Sequence, residues 1–137
     1  MDVKRLIITM LACILSVTSY AHELDKATEK QLFNNYALAM CLATEYKDSD
    51  IHDDAIKALN GYREFGNMTL EAYAALNDTY KTWETRPYTA KSGSTLELAR
   101  CIDFQNSKDV AAIFDMNNPC KDPTTWDSAD KFSVRCQ

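Results

Sequence analysis

Cys41, Cys101, Cys120 and Cys136 constrain this chain more than any other feature. The intervals between them, 59, 18 and 15 residues, contain no close pair of the C-x-x-C kind. That spacing disfavours metal ligation and, in an exported chain of this size, points to disulfides. Three pairings are possible in principle. Cys41 with Cys101 is favoured because both lie on apolar helical faces, and Cys120 with Cys136 because both lie in a tail otherwise too polar to hold itself down. In the loop-entropy account the longer link is worth about 4 kcal/mol, comparable with much of a small domain's net stability.

Export is what the N-terminus predicts. MDVKR is a short basic region, LIITMLACILSV is a mostly apolar run, and small residues follow near Ser19-Tyr20-Ala21. This is the pattern of a secretory signal, with cleavage expected after Ala21. The run falls short of the roughly 20 residues that span a bilayer, so no stable membrane anchor is expected. A lipidated Cys13 is disfavoured because apolar residues continue beyond it. Residues 22–137 then form one domain with a single core, closed at about 116–137 by a disulfide-bonded polar tail. They carry 13 Lys and Arg against 19 Asp and Glu. Basic residues scattered among so many acids disfavour a nucleic-acid partner; a basic protein surface would be attracted instead.

The apolar spacing is helical throughout, and only three Gly and three Pro interrupt it. It predicts an all-α, disulfide-stapled bundle of four to five helices. A first helix over about 26–45 puts Phe33, Tyr36, Ala37, Met40, Cys41 and Thr44 on one stripe. A second starts at Ser49 or Asp50 with Ile51, Ala55, Leu59 and Tyr62 as its buried edge, and Gly66 is expected to end it in a left-handed conformation. A third, capped by Asn67 or Thr69, aligns Leu70, Tyr73, Asn77, Tyr80 and Glu84, flanked by Ala74, Leu76 and Trp83. In a fourth, Leu98, Cys101, Ile102 and Gln105 share a face. A fifth, capped by Ser107, contributes Val110, Ile113 and Phe114 over 108–115. Trp126 and Phe132 are the expected anchors of the turn-rich tail.

Between the third and fourth helices runs TRPYTAKSGSTLE. Pro87 biases Arg86 away from helical dihedrals and so ends the third helix near Thr85. Ser94 and Glu97 match an S-x-x-E capping box for the fourth. A connection over about 85–93 remains, longer than the usual 2 to 8 residues between bundle helices. Thr85, Arg86, Pro87, Tyr88, Thr89, Lys91, Ser92 and Gly93 are its candidate partner-binding residues. Tyr88 can fill an apolar cleft at low entropic cost, Arg86 and Lys91 can meet acidic groups, and Pro87 limits the ordering required on binding.

Signals for chemistry are sparse. The chain has two histidines, His22 and His52, and His52-Asp53-Asp54 cannot converge on one ion because adjacent helical residues point about 100° apart. No G-x-S-x-G, H-E-x-x-H, phosphate-cradling loop or c-type haem motif is present. No catalytic residue, metal or cofactor is therefore expected, and a binding protein is favoured over an enzyme. Two alternatives remain: a small carboxylate-dependent hydrolase, needing two acids in one cleft with one raised pKa, and a helical ligand-carrying or structural protein whose Tyr and Trp residues line a pocket.

Asn35-Tyr36-Ala37-Leu38 with Cys41, Tyr62-Arg63-Glu64-Phe65-Gly66 followed by Glu71-Ala72-Tyr73, and Cys101-Ile102-Asp103 with Ser107-Lys108-Asp109 together resemble the pattern of the type VI secretion amidase immunity proteins. The resemblance covers roughly 34–114 and leaves the tail unmatched. It implies a helical, homodimeric periplasmic antidote that binds a papain-like Cys-His peptidoglycan amidase and occludes its cleft. It also implies a disulfide between paired helices, which fits Cys41 with Cys101, and a projecting loop that plugs the enzyme. By position and composition, that loop is best placed at 85–94.

Overall fold

The computed structural model describes residues 22–137; the expected leader lies outside the described residues. Seven α-helices follow in order: α1 (His22–Lys26), α2 (Glu29–Glu45), α3 (Asp50–Phe65), α4 (Leu70–Glu84), α5 (Glu97–Gln105), α6 (Lys108–Asn117) and α7 (Ala129–Arg135), with two short 3-10 turns between α6 and α7. No strand occurs among the described residues, so the fold is a small all-α bundle. None of the described helices is long and apolar enough to cross a membrane.

The expected first helix is broken. Thr28 starts α2 with a reciprocal capping box: its hydroxyl accepts the Gln31 N–H, and the Gln31 side chain accepts the Thr28 N–H. Satisfying two otherwise free donors at Thr28 makes a helix start there more stable than continuation from residue 26. Thr69 caps α4 and Ser107 caps α6, each accepting an N–H three residues on. Gly66 is extended (φ −86°, ψ 163°) rather than left-handed. Close approach explains the glycine: a Cβ there would sit 3.0 Å from the Tyr62 carbonyl oxygen and 3.2 Å from the Tyr73 hydroxyl.

Helix α2 is the centre of the bundle, packing against α3 and α5 and touching α4 and α6. Phe33, Tyr36, Ala37, Met40 and Cys41 are buried as their spacing predicts. They meet Tyr73, Leu76, Tyr80 and Trp83 of α4, Cys101 and Phe104 of α5, and Val110, Ile113 and Phe114 of α6. Tyr36 and Tyr73 meet at a 44° tilt with centroids 4.3 Å apart, and both Tyr80 and Trp83 meet Phe104 edge-on. Each fully buried side chain of this size contributes about 1.5–3 kcal/mol.

Three buried faces differ from expectation. Of the edge expected on α3, only Ala55 is buried; Ile51 is exposed because α3 packs mainly against α2, with only a small contact to α1. On α4 the core face runs through Ala72, Tyr73, Leu76, Tyr80 and Trp83, leaving Leu70, Asn77 and Glu84 in solvent. On α5 it is Arg100, Cys101 and Phe104, while Leu98 and Ile102 point outward. The turn of α5 is set by charge: Arg100 Nη1 lies 2.8 Å from Glu45 Oε1, and that pair can be buried only if the arginine faces α2.

Both favoured cysteine pairs are disulfides. Cys41 joins Cys101, bonding α2 to α5, and Cys120 joins Cys136 within the tail. The tail contains a helix that its polarity concealed, α7, capped by Ser128. Trp126 packs edge-on against Phe132. Arg135 reaches back to the N-terminal segment, its Nη1 donating to the carbonyls of Leu24 and Ala27 at 2.6 Å each.

Candidate functional site

The connection between α4 and α5 is a small hairpin. Thr89 pairs antiparallel with Thr95, the Leu96 N–H donates to the Tyr88 carbonyl at 2.9 Å, and the Ala90 N–H donates to the Ser94 carbonyl at 2.8 Å. The Gly93 N–H closes a tight turn on the Ala90 carbonyl at 2.9 Å. Gly93 itself has φ +89°, the left-handed residue that hairpins with a short turn require.

The expected capping box does not form. Helix α5 begins at Glu97 with Leu96 as its N-cap and no side-chain cap bond. Ser94 is committed to the hairpin through its carbonyl, and its hydroxyl sits 3.1 Å from that of Ser92. The connection therefore runs over 85–96 and includes Thr95 and Leu96, longer than the capping box implied.

The candidate residues divide between a root and a tip. Thr85 ends α4 and its hydroxyl donates to the Thr82 carbonyl at 2.9 Å. Arg86 stacks on the Trp83 ring, its guanidinium carbon 3.7 Å from the centroid, and its Nη2 lies 3.4 Å from Asp109 Oδ2. Tyr88 is half-buried; its hydroxyl donates to Asp103 Oδ2 at 2.9 Å, and the Arg100 guanidinium lies 5.7 Å from its ring centroid. Desolvation and the Asp103 carboxylate together hold the Tyr88 phenol above its usual range. Pro87, Thr89, Lys91, Ser92 and Gly93 are exposed, and among the described residues Lys91 has no ion-pair partner.

Two residues that matter to this geometry carry no loop signal in the sequence. Asp103 on α5 holds Tyr88, and Asp109 on α6 holds both Arg86 and the Trp83 indole N–H, the latter at 2.8 Å. They are distant from the loop in the chain and meet it only through packing of α5 and α6 against α4.

Other features bear on the alternatives. Among the described residues no group of three His, Cys, Asp or Glu is placed to hold a metal ion. His52 directs Nδ1 at the Ala43 carbonyl, 2.8 Å away, and so fastens the start of α3 to α2. Among the described residues Glu29 is the carboxyl that burial holds above its usual range, and it is 1% exposed, beside Gly66 and bonded by the Asn67 N–H. Tyr36, Tyr73, Tyr80 and Trp83 are core residues rather than pocket walls. A cavity of about 350 Å³ does lie where the tail meets Gly66 and Asn67, and Trp126 lines it with charged residues of both signs.

No curated protein matches the chain. The model of the family Tai4, described as type VI secretion system (T6SS) amidase immunity protein, matches residues 31–114. The match spans α2 through Phe114, taking in the hairpin, its two carboxylate partners and the Cys41–Cys101 disulfide, and stops short of the tail. Extending over more than half of the 137 residues, it establishes that this chain belongs to the type VI secretion system amidase immunity protein family.

Proposed function

We propose that this protein is exported to the periplasm, where it binds a cognate type VI-secreted peptidoglycan amidase and silences it by lodging the 85–96 hairpin in the enzyme's cleft. The single observation that carries this reading is an exposed, internally hydrogen-bonded hairpin inside the family match, with Lys91 at its turn. A papain-like cleft accommodates an extended polypeptide, and a narrow hairpin with few exposed bulky residues fits such a slot. Lys91 supplies a cation for acidic rim groups or for the place that receives an anionic peptide carboxylate. Thr85, Arg86, Pro87 and Tyr88 support the tip, while Thr89, Lys91, Ser92 and Gly93 enter the cleft. The resemblance to dimeric antidotes supports a homodimer.

The test is hydrolysis of a wall-derived peptide by a type VI-secreted peptidoglycan amidase from the same cells, with and without the purified, oxidised protein. Loss of hydrolysis near one-to-one stoichiometry is expected; unchanged activity at stoichiometric excess overturns the reading. Replacing residues 89–95 with a Gly-Ser linker is expected to release the enzyme. If the linker protein inhibits as well as the native one, the blocking surface lies elsewhere.

A further inference from the structure

The root of the hairpin is held by Tyr88, which packs against the core cluster with the Arg100 guanidinium 5.7 Å from its ring centroid, and by two carboxylates. Asp103 accepts the Tyr88 hydroxyl at 2.9 Å. Asp109 accepts the Trp83 indole N–H at 2.8 Å and lies 3.4 Å from Arg86 Nη2, with the Arg86 guanidinium stacked on the same indole. Trp83 is 6% exposed in the core, so Arg86 lies between a buried ring and a carboxylate that is about half exposed. Tyr88 passes this constraint to the tip through its carbonyl, which pairs with the Leu96 N–H across the hairpin. A loop that must order on binding loses affinity in proportion to the fraction of time it spends out of shape.

We propose that Asp103 and Asp109 are positioning residues for inhibition: their hydrogen bonds to Tyr88, Trp83 and Arg86 hold the hairpin in its binding shape before the amidase arrives. This rests on the reading that the hairpin enters the cleft. Neither carboxylate need touch the enzyme, so their effect falls on the population of competent loop rather than on contacts in the complex. Population loss lowers the association rate constant, whereas contact loss raises the dissociation rate constant.

The experiment uses the mature, disulfide-bonded protein carrying Asp103→Ala, Asp103→Asn, Tyr88→Phe, the Asp103→Ala/Tyr88→Phe double change, and Asp109→Asn. Amide exchange is followed at Ala90, Gly93 and Leu96, whose N–H groups close the hairpin, and association and dissociation are measured with the same amidase. For Asp103→Ala and Tyr88→Phe we expect faster exchange at those amides and association slowed roughly three- to tenfold, the range of one net hydrogen bond. Dissociation should change less than about twofold, and the double variant should be no worse than either single one. Asp103→Asn, which keeps an acceptor, should recover most of the rate; Asp109→Asn, which keeps an acceptor for the Trp83 N–H but loses the charge facing Arg86, should show an intermediate slowing.

Unchanged exchange, a loss confined to dissociation, or strictly additive effects overturns the inference. If the 89–95 linker protein fails to inhibit while every Asp103 and Tyr88 variant binds like wild type, this inference alone fails. If the linker protein inhibits fully, the cleft reading fails and takes the inference with it.

Discussion

Arg100 and Glu45 face each other 2.8 Å apart between α5 and α2, with 7% and 10% of their side chains exposed. The Tyr80 hydroxyl donates to the same Glu45 oxygen, and Cys101, next along α5, is bonded to Cys41 of α2. One charged pair and one disulfide thus fix α5 against α2, the phenol ties α4 to the same carboxylate, and Arg100 lies 5.7 Å from the Tyr88 ring centroid at the root of the hairpin. Burial raises the Tyr80 phenol pKa, and its bond to Glu45 adds to the shift.

Removing one member of that pair leaves the other unpaired in a largely buried site. Glu45→Ala or Arg100→Ala is expected to cost about 3–5 kcal/mol, the range for breaking a buried ion pair. Replacing both with apolar residues of similar volume should recover most of the loss, because the desolvation cost of both charges then disappears. Urea unfolding of the two single variants and of Arg100→Met/Glu45→Leu measures this. A double variant as unstable as the singles would show that the site needs the charges themselves.

The two disulfides should differ in value. Cys41–Cys101 spans 60 residues and Cys120–Cys136 spans 16, which the chain-entropy account converts to about 4 and about 3 kcal/mol. The contrast in place is larger than the contrast in size. Losing the first pair by double Ser substitution is expected to destabilise the whole cooperative unit. Losing the second should mainly loosen residues beyond 116, where nothing belongs to the main apolar cluster. Hydrogen exchange resolved by residue distinguishes global from local opening; a global loss from the tail pair would contradict the assignment.

Arg135 carries the tail's attachment to the N-terminal segment. Its Nη1 satisfies the carbonyls of Leu24 and Ala27 at the break between α1 and α2, and it is 8% exposed. Arg135→Met removes a charge-assisted donor from two acceptors, worth about 1.5–3 kcal/mol for bonds of this kind. The expected signature is rapid proteolysis or exchange over 22–28 with the 31–114 core still protected. Protection unchanged over 22–28 would mean that the latch is not needed.

Glu29 predicts a pH dependence of definite sign. Burial raises its carboxyl pKa above 4.5, against the lowering effect of the Asn67 N–H bond and the Arg135 charge. Burial, with the charge of Glu29 and the phenol of Tyr36 adding to it, likewise pushes Tyr73 up to about 12. The folded protein therefore holds a proton at Glu29 more tightly than the unfolded chain. Between 4.5 and the raised value this group makes stability fall as pH rises, and it costs stability at neutral pH. Glu29→Gln should remove that fall, so the difference in unfolding free energy between variant and native protein should grow in the variant's favour from pH 4 to pH 7. Parallel profiles across that range would refute the linkage.

Much of the bundle was legible because helices advertise themselves. The stripe on α2, the cap at Ser107, Thr69 as one of two caps offered for α4, and the core residues of α6 follow from 3.6-residue periodicity and capping chemistry, which are local. The favoured cysteine pairs rest on apolar faces and a polar tail, and the family resemblance on short ordered motifs. The exposed faces of α3 and α5 were not legible. Leu98 and Ile102 have the right residue type and spacing for a buried edge, but the buried edge is the one that faces Cys41 and Glu45 of α2, more than 50 residues earlier. Thr28 and Gln31 carry a local signal, a T-x-x-Q capping box, that splits the expected first helix, although the apolar stripe alone does not show the break.

The hairpin divides in the same way. Its place, its basic and aromatic content and its left-handed glycine are properties of 85–96 alone, because Pro87 and Gly93 act on their own backbone dihedrals. Its shape at the root is not. Arg86 and Tyr88 read as free side chains until α5 and α6 fold back and bring Asp103 and Asp109 within 3.4 Å of them. Local backbone preferences act over a few residues and can be read along the chain, whereas a carboxylate chooses its partner only after distant helices have packed.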